Sequence, residues 1–246
     1  MRLAVRHLSG IRGFRTYLED GPLPTRHLER EAKFRLCHTR QGMRLLRAAV
    51  NASHGLRLHE GVTSQVIDVY LDTGAKVLRA HGLALRVRHK HGERDVITLK
   101  RLAPAATAND LKRIEVEGPD HPQTIEMVGE ELQAARVTQE GERPTTLRES
   151  IQAWHLSPVA VLAQRRREFR VVAKSGDIAC ASMDSVWSVF PHASEPYHIL
   201  EVELRDTAGA GLVKCLERHG LIKETRSKLE VATQAISAAL DEGGCV

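Results

Sequence analysis

A chain of 246 residues with 42% hydrophobic and 27% charged content has the composition of an ordinary globular protein, with room for one large domain. Its formal net charge of +5 favours an anionic partner, while 4% aromatic content leaves scarcely any side chains for stacking bases and so disfavours nucleic acid. Cys37, Cys180, Cys215 and Cys245 form no C-x-x-C pair, the thirteen histidines form no H-E-x-x-H, and no apolar run approaches a membrane span, which argues against structural zinc and a transmembrane helix and for a reduced, cytoplasmic setting.

Met1–Tyr17 is rich in Arg and free of acid, and Gly21-Pro-Leu-Pro24 separates it from the first charged strand. Residues 1–24 therefore read as an N-terminal extension and residues 25–246 as a single domain. The stretch Leu28-Glu-Arg-Glu-Ala-Lys-Phe-Arg-Leu sets Glu29, Glu31 and Lys33 at alternate positions. In a strand they share one face, with Leu28, Ala32 and Phe34 on the other. Arg40–Val50 carries Met43, Leu46, Ala49 and Val50 at helical spacing and is a covering helix. Gln65–Leu71 reads as a strand ended by Asp72-Thr-Gly, and Ala75–Ala80 as a short helical turn.

Leu83–His89 and Arg94–Arg101 form a hairpin about Gly92, which leaves His89 and His91 in solvent. A Pro-containing loop then leads to a strand from Leu111 to Glu117, closed by Gly118-Pro119. Helices are expected at Gln123–Gln139 and at Thr145–Trp154, the second capped by Thr behind Pro144. Val159–Ala173, Ile178–Val186 and Tyr197–Arg205 read as strands. Thr207–His219, stopped by Gly220, and Ser227–Leu240 read as helices.

A lone Glu/Glu/Lys row is more often a solvated strand face than a site. Here the alternation returns at Arg86 and Arg88, at Thr98 and Lys100, at Arg113, Glu115 and Glu117, and at Glu201 and Glu203. The intervening Leu, Val and Ile need an apolar layer, so helices cover that side and the charged sides face one another. Intermixed acids and bases suit a closed barrel with a polar interior, in which carboxylates hold metal ions and cations hold an anion. The expected fold class is α+β, an antiparallel β-barrel with covering helices.

These segments in this order resemble the CYTH superfamily, the triphosphate tunnel metalloenzymes. The resemblance is carried by Glu29-x-Glu31-x-Lys33, Tyr70-Leu-Asp-Thr-Gly, Leu83-Ala-Leu-Arg-Val-Arg, Ile97-Thr-Leu-Lys, Arg113-Ile-Glu-Val-Glu, the Arg-rich strand, Met183-Asp184, Glu201-Val-Glu203-Leu and Ser227-Lys228-Leu-Glu. The two helices before Leu156-Ser-Pro-Val are similar to those of the CYTH domain of bacterial inorganic triphosphatases. The resemblance implies an eight-stranded antiparallel tunnel that binds a triphosphate and hydrolyses it with a divalent metal, Mg²⁺ or Mn²⁺. That chemistry agrees with the residues themselves. Arg and Lys neutralise the phosphates, Arg through forked hydrogen bonds, and carboxylates are the hard ligands these metals need.

On that resemblance Glu29, Glu31, Glu201 and Glu203 form an acidic floor for the metal and the attacking water, and Glu115, Glu117 or Asp184 holds a second ion or that water. Lys33, Arg86, Arg88, Lys100, Arg113, Arg166 and Lys228 are the phosphate ligands, with Lys33 and Lys228 joining Glu29 and Glu31 in the catalytic set. The phase of Arg165-Arg166-Arg167 is open by one residue, and the family pattern favours Arg166; Arg226 is the weaker candidate beside Lys228. For each acid the competing reading is a salt bridge to a neighbouring base, strongest for Glu115 and Asp184.

The leading expectation is hydrolysis of inorganic tripolyphosphate to pyrophosphate and phosphate. Thiamine triphosphatase, nucleoside triphosphatase and class IV adenylate cyclase activities belong to the same fold. A non-catalytic polyphosphate-binding module and a basic nucleic-acid-binding protein are alternatives of another class. The expected partner is a triphosphate-containing small molecule with no membrane; a homodimer stays open.

Overall fold

The computed structural model describes residues 23–102, 111–138, 143–207 and 209–231. The expected N-terminal extension, the loop after Leu102 and most of the expected C-terminal helix lie outside the described residues. Strand β1 (Thr25–Leu36) carries the Glu/Glu/Lys row and has two partners. Thr25–Glu31 pairs with β5 (Leu111–Pro119), and Glu31–Leu36 pairs with β8 (Tyr197–Leu204). Between these neighbours run β4 (Val96–Leu102), β3 (Leu83–Lys90), β2 (Arg57–Thr73), β6 (Leu156–Ala173) and β7 (Gly176–Phe190). Every pairing is antiparallel, and the β5–β1 contact closes β1 to β8 into an eight-stranded barrel. A two-residue strand, β9 (Ile222–Lys223), adds to β1 beside Phe34 and Arg35.

Closure turns the period-two pattern into two environments. On one outer wall α1 (Thr39–Ala52) and α5 (Gly209–Arg218) pack Leu46, Val50, Leu212 and Leu216 against Phe34, Met183, Leu200 and Val202 of β1, β7 and β8. On the other, α2 (Val77–Ala80) and α3 (Pro122–Ala134) place Leu78, Ile125, Val128 and Leu132 over Leu85, Val87, Ile97, Leu99 and Val116 of β3, β4 and β5. The short α4 (Leu147–Ala153) adds Leu147 and Ile151 to that layer. A smaller cluster of Tyr70, Ala160, Leu162 and Val186 takes in Tyr197 and Leu229. Among the described residues no helix is long and apolar enough to cross a membrane.

Three differences from the sequence expectation have local causes. Strand β2 begins at Arg57 rather than Gln65, because it zips along β6 from Arg57↔Val172 onward while its first residues stay largely exposed and carry no alternation. Helix α3 ends at Ala134 rather than Gln139. Arg136 there takes φ +59°, its amide bonding Gln133 O at 2.8 Å and the Val137 amide bonding Leu132 O at 2.9 Å. This is a left-handed helix stop without the usual glycine, so the sequence does not announce it. His89, expected in solvent, is half-buried and ion-paired with Asp95 across the hairpin.

Candidate functional site: a charged tunnel

Strand pleating turns one residue in two toward the lumen. Glu29, Glu31 and Lys33 come from β1, Arg86 and Arg88 from β3, Thr98 and Lys100 from β4, and Arg113, Glu115 and Glu117 from β5. Arg166 of β6, Glu201 and Glu203 of β8, and Lys228 from the segment after β9 complete the lining of one cavity of about 1230 Å³. Thus the structure gathers every sequence-predicted site residue except Asp184 around a single space. Asp184 lies fully buried behind it.

The charges are paired across the lumen in three groups. On the β2/β3 wall, Arg88 forks onto Asp68 with Nε and Nη2 both at 2.8 Å, and Arg86 Nη1 reaches the same carboxylate at 3.4 Å. Gln164 Nε2 donates to it as well. Arg86 Nη2 also donates to Thr98 Oγ1 at 3.0 Å, and that hydroxyl donates to Glu117 at 3.0 Å. On the β1/β5 wall, Lys100 Nζ lies 2.7 Å from Glu29 and 3.1 Å from Glu115. Glu31 sits between Lys33 at 2.7 Å and Arg113 at 3.3 Å.

The third group joins β6, β7 and β8. Arg166 forks onto Asp184 at 2.9 and 2.7 Å and reaches Glu201 at 3.0 Å. Lys228 Nζ contacts the same two acids at 2.5 and 2.7 Å. Tyr197 Oη donates to the Lys228 carbonyl at 2.8 Å and holds that segment in place.

Electrostatically the acids divide into two kinds. Burial, with repulsion from Glu31, pushes Glu29 up to about 7, and burial with the nearby Glu29 charge also raises Glu203. Burial opposes ionisation of Glu31 and Glu201 too, but cations override it. Lys33, with Lys100 and Arg113, holds Glu31 at about 2, and Lys228, Lys33 and Arg166 keep Glu201 well below the usual carboxylate range. Lys228 itself is lowered because its burial outweighs the attraction of Asp184 and Glu201. Glu29 and Glu203 are therefore the acids whose ionisation burial disfavours, even though Lys100 pairs with Glu29 and Arg205 lies 3.4 Å from Glu203.

Several acids of the expected metal set are engaged by cations in the structure. The sequence places Asp184 and Glu201 among the ligands, whereas their oxygens are committed to Arg166 and Lys228, with Ser182 adding a hydrogen bond to Asp184 at 3.2 Å. Lys100 likewise engages Glu115 and both oxygens of Glu29, and Lys33 and Arg113 engage Glu31. Arg226 is ion-paired with Glu224, away from the lumen row. Sequence reasoning misses Asp68 and Gln164, and it leaves out Arg26, Arg79, Glu168, Arg170, Arg205 and Glu230, which line the same cavity. Asp68 shares a face with Tyr70 within the apolar run Val66–Leu71 of β2, and an acid in that phase is the available signal.

A divalent cation suits the donor chemistry at the β1/β8 seam. Glu31 and Glu203 are register partners, Glu29 shares their face, and all three offer hard oxygens; a divalent cation there would favour the ionised forms of Glu29 and Glu203, which burial disfavours. Among the described residues no group of three or more His, Cys, Asp or Glu side chains is already arranged as a metal cage. Mg²⁺ commonly uses one or two carboxylates and takes its remaining ligands from water and substrate phosphates, so the residues present fit such an ion.

A closed antiparallel barrel with acids and bases paired across its lumen defines a charged-tunnel fold. The CYTH domain model matches residues 27–232, and the chain belongs to the CYTH domain family. Among solved structures, HpAC1 from Hippeastrum, described with a dominant triphosphatase activity, is 20% identical over 84% of this chain and 95% of its own, with a TM-score of 0.48. A protein from Pyrococcus horikoshii is 17% identical over 84% and 98%, with a TM-score of 0.46. The Mimivirus capping-enzyme triphosphatase is 11% identical over 80% and 89%, with a TM-score of 0.38. No curated protein matches the chain.

Proposed function

We propose that this protein hydrolyses inorganic tripolyphosphate to pyrophosphate and phosphate inside the tunnel, assisted by Mg²⁺ or Mn²⁺. The observation that carries the reading is the single cavity in which Arg86, Arg88, Lys100, Arg113, Arg166 and Lys228 share the lining with Glu29, Glu31 and Glu203. In the substrate-free protein the cations rest on protein carboxylates. A triphosphate offers them stronger acceptors. Arg86 Nε is buried and makes no hydrogen bond within the described residues, so one donor already lacks an acceptor.

Phosphoryl transfer needs alignment and charge neutralisation more than a covalent nucleophile. Arg88 and Arg86, locked by Asp68, and Arg166, locked by Asp184, keep their guanidinium planes fixed as phosphates enter. Lys33, Lys100, Arg113 and Lys228 supply further charge along the chain. Glu29, Glu31 and Glu203 are the residues that would hold the ion. When bound, the ion withdraws charge from the phosphate oxygens and lowers the pKa of coordinated water. Glu29, Glu31 and Glu203 would also orient the attacking water beside the ion.

The lining supports the inorganic substrate over thiamine triphosphate or a nucleotide. Among the described residues the Phe and Tyr side chains that line it are Tyr70 and Phe169, both largely buried in apolar clusters, which leaves an organic group little ring surface to stack upon. The deciding experiment is phosphate release from tripolyphosphate, ATP and thiamine triphosphate, each with Mg²⁺, Mn²⁺ or chelator. Fast metal-dependent release from tripolyphosphate is expected. Preference for either organic substrate moves the assignment within the family, and no release from any of them leaves a binding module.

A further inference from the structure

Outside the tunnel, a second cavity of about 850 Å³ lies between α1 and the outer faces of β2, β6 and β7. Arg40, Arg44 and Arg47 enter it from α1, and Arg165 and Arg167 from β6. Two periodicities place them there. Positions 40, 44 and 47 share one face of a helix, while 165 and 167 flank the lumen-facing Arg166 and point the other way. Leu46, Ala49 and Val50 bury the adjacent stripe of α1 against the barrel, which holds the arginine stripe at the groove. All these arginines are exposed.

The groove is partly organised. Glu60 accepts from Arg47 at 2.5 Å and from Arg167 at 2.6 Å, tying the helix wall to the strand wall. Arg167 also lies over the Phe169 ring, 5.4 Å from its centroid. Arg40, Arg44 and Arg165 have no carboxylate partner among the described residues. The groove therefore carries a strong positive surplus.

Guanidinium forks match phosphate oxygens, and Thr39, Asn51, Thr63 and Ser185 add neutral hydrogen-bonding groups. A helical rise of about 1.5 Å per residue separates Arg40 from Arg47 by roughly 10 Å along the axis, which suits an extended anion rather than a single phosphate. Among the described residues no aromatic side chain lines the groove, so a nucleobase finds nothing to stack upon. A slender polyanion without bases fits these features.

We propose that this groove binds linear inorganic polyphosphate on the outer wall of the barrel, separately from the tunnel. Binding there involves no chemistry, and it stands whether or not the tunnel cleaves tripolyphosphate. The test is calorimetric titration of the full chain with long-chain polyphosphate in EDTA, which removes metal-assisted turnover. An Arg88→Ala background weakens competition from the tunnel. Adding Arg40→Ala, Arg44→Ala and Arg165→Ala is expected to weaken long-chain binding about tenfold or more and to flatten its salt dependence. In the wild-type background the same triple change is expected to leave the melting temperature and short-chain tripolyphosphate binding unchanged. Undiminished long-chain affinity in the triple variant overturns the proposal. So does a single-stranded oligonucleotide or polyglutamate that binds through these arginines as tightly as polyphosphate does.

Discussion

Asp68 illustrates how one side chain can set the geometry of several others. It is fully buried, yet Arg86, Arg88 and Gln164 all donate to it, so two guanidinium groups are held in register before any ligand arrives. Removing one partner of a buried ion pair leaves the other uncompensated. Asp68→Asn is expected to destabilise the protein by about 3–5 kcal/mol in urea unfolding, and a loss well below that range would mean water reaches the two arginines. Arg88→Ala leaves Arg86 and Gln164 on Asp68, so its main effect is expected on tripolyphosphate affinity measured by titration, at roughly 2 kcal/mol for a lost charged fork. Glu29 makes a pH prediction. Its folded value of about 7 lies above the ordinary 4.5, so the stability this group confers is fully present below about 4.5 and is lost as pH rises through 7. Glutamine mimics the protonated acid. In chelator, Glu29→Gln is therefore expected to gain stability over the parent between pH 5 and pH 8, on the order of 2 kcal/mol by differential melting. A difference that does not change with pH would remove Glu29 from the group of strained carboxylates.

At the level of elements, the helices hold the barrel walls and thereby the lumen. Leu46 of α1 is fully buried between β1, β7 and α5. Leu46→Ala is expected to cost about 2–5 kcal/mol by chemical denaturation, with tripolyphosphate binding retained in the fraction that stays folded. Gly118 near the end of β5 serves another contact. A Cβ there would stand 2.5 Å from Thr124 Oγ1 and 2.8 Å from Pro24 Cβ, so the close approach of β5 to α3 and to the chain before β1 depends on its absence. The elements also show which signals a sequence carries. Helix α5 ends where Gly220, at φ +86°, announces it, whereas α3 ends on Arg136 in the same left-handed region with no glycine to mark it. Strand β2 is long because β6 pairs with it, and its exposed first half has no apolar face from which its extent could be read.

For the whole molecule, barrel closure brings charges distant in sequence within ion-pair range. Lys100 meets Glu29 across 71 residues, and Arg113 meets Glu31 across 82. Such a lumen is stabilised by any ligand that replaces internal pairing with stronger pairing. Tripolyphosphate at about a hundred times its dissociation constant is expected to add roughly 2.7 kcal/mol of stability, read as a rise in melting temperature, and an unchanged melting temperature would count against binding to the native tunnel. By itself the sequence determined most of the strand phases, the apolar outer faces and the larger part of the charged lumen residues, because side-chain direction in a strand is a local property with period two. Only the tertiary structure decided which acid each base meets, that Arg166 and Lys228 share Asp184 and Glu201 while Lys100 bridges Glu29 and Glu115, and that Arg165 and Arg167 open onto an outer groove. Those outcomes depend on inter-strand register and on the pairing that closes the barrel, and neither is encoded within any one segment.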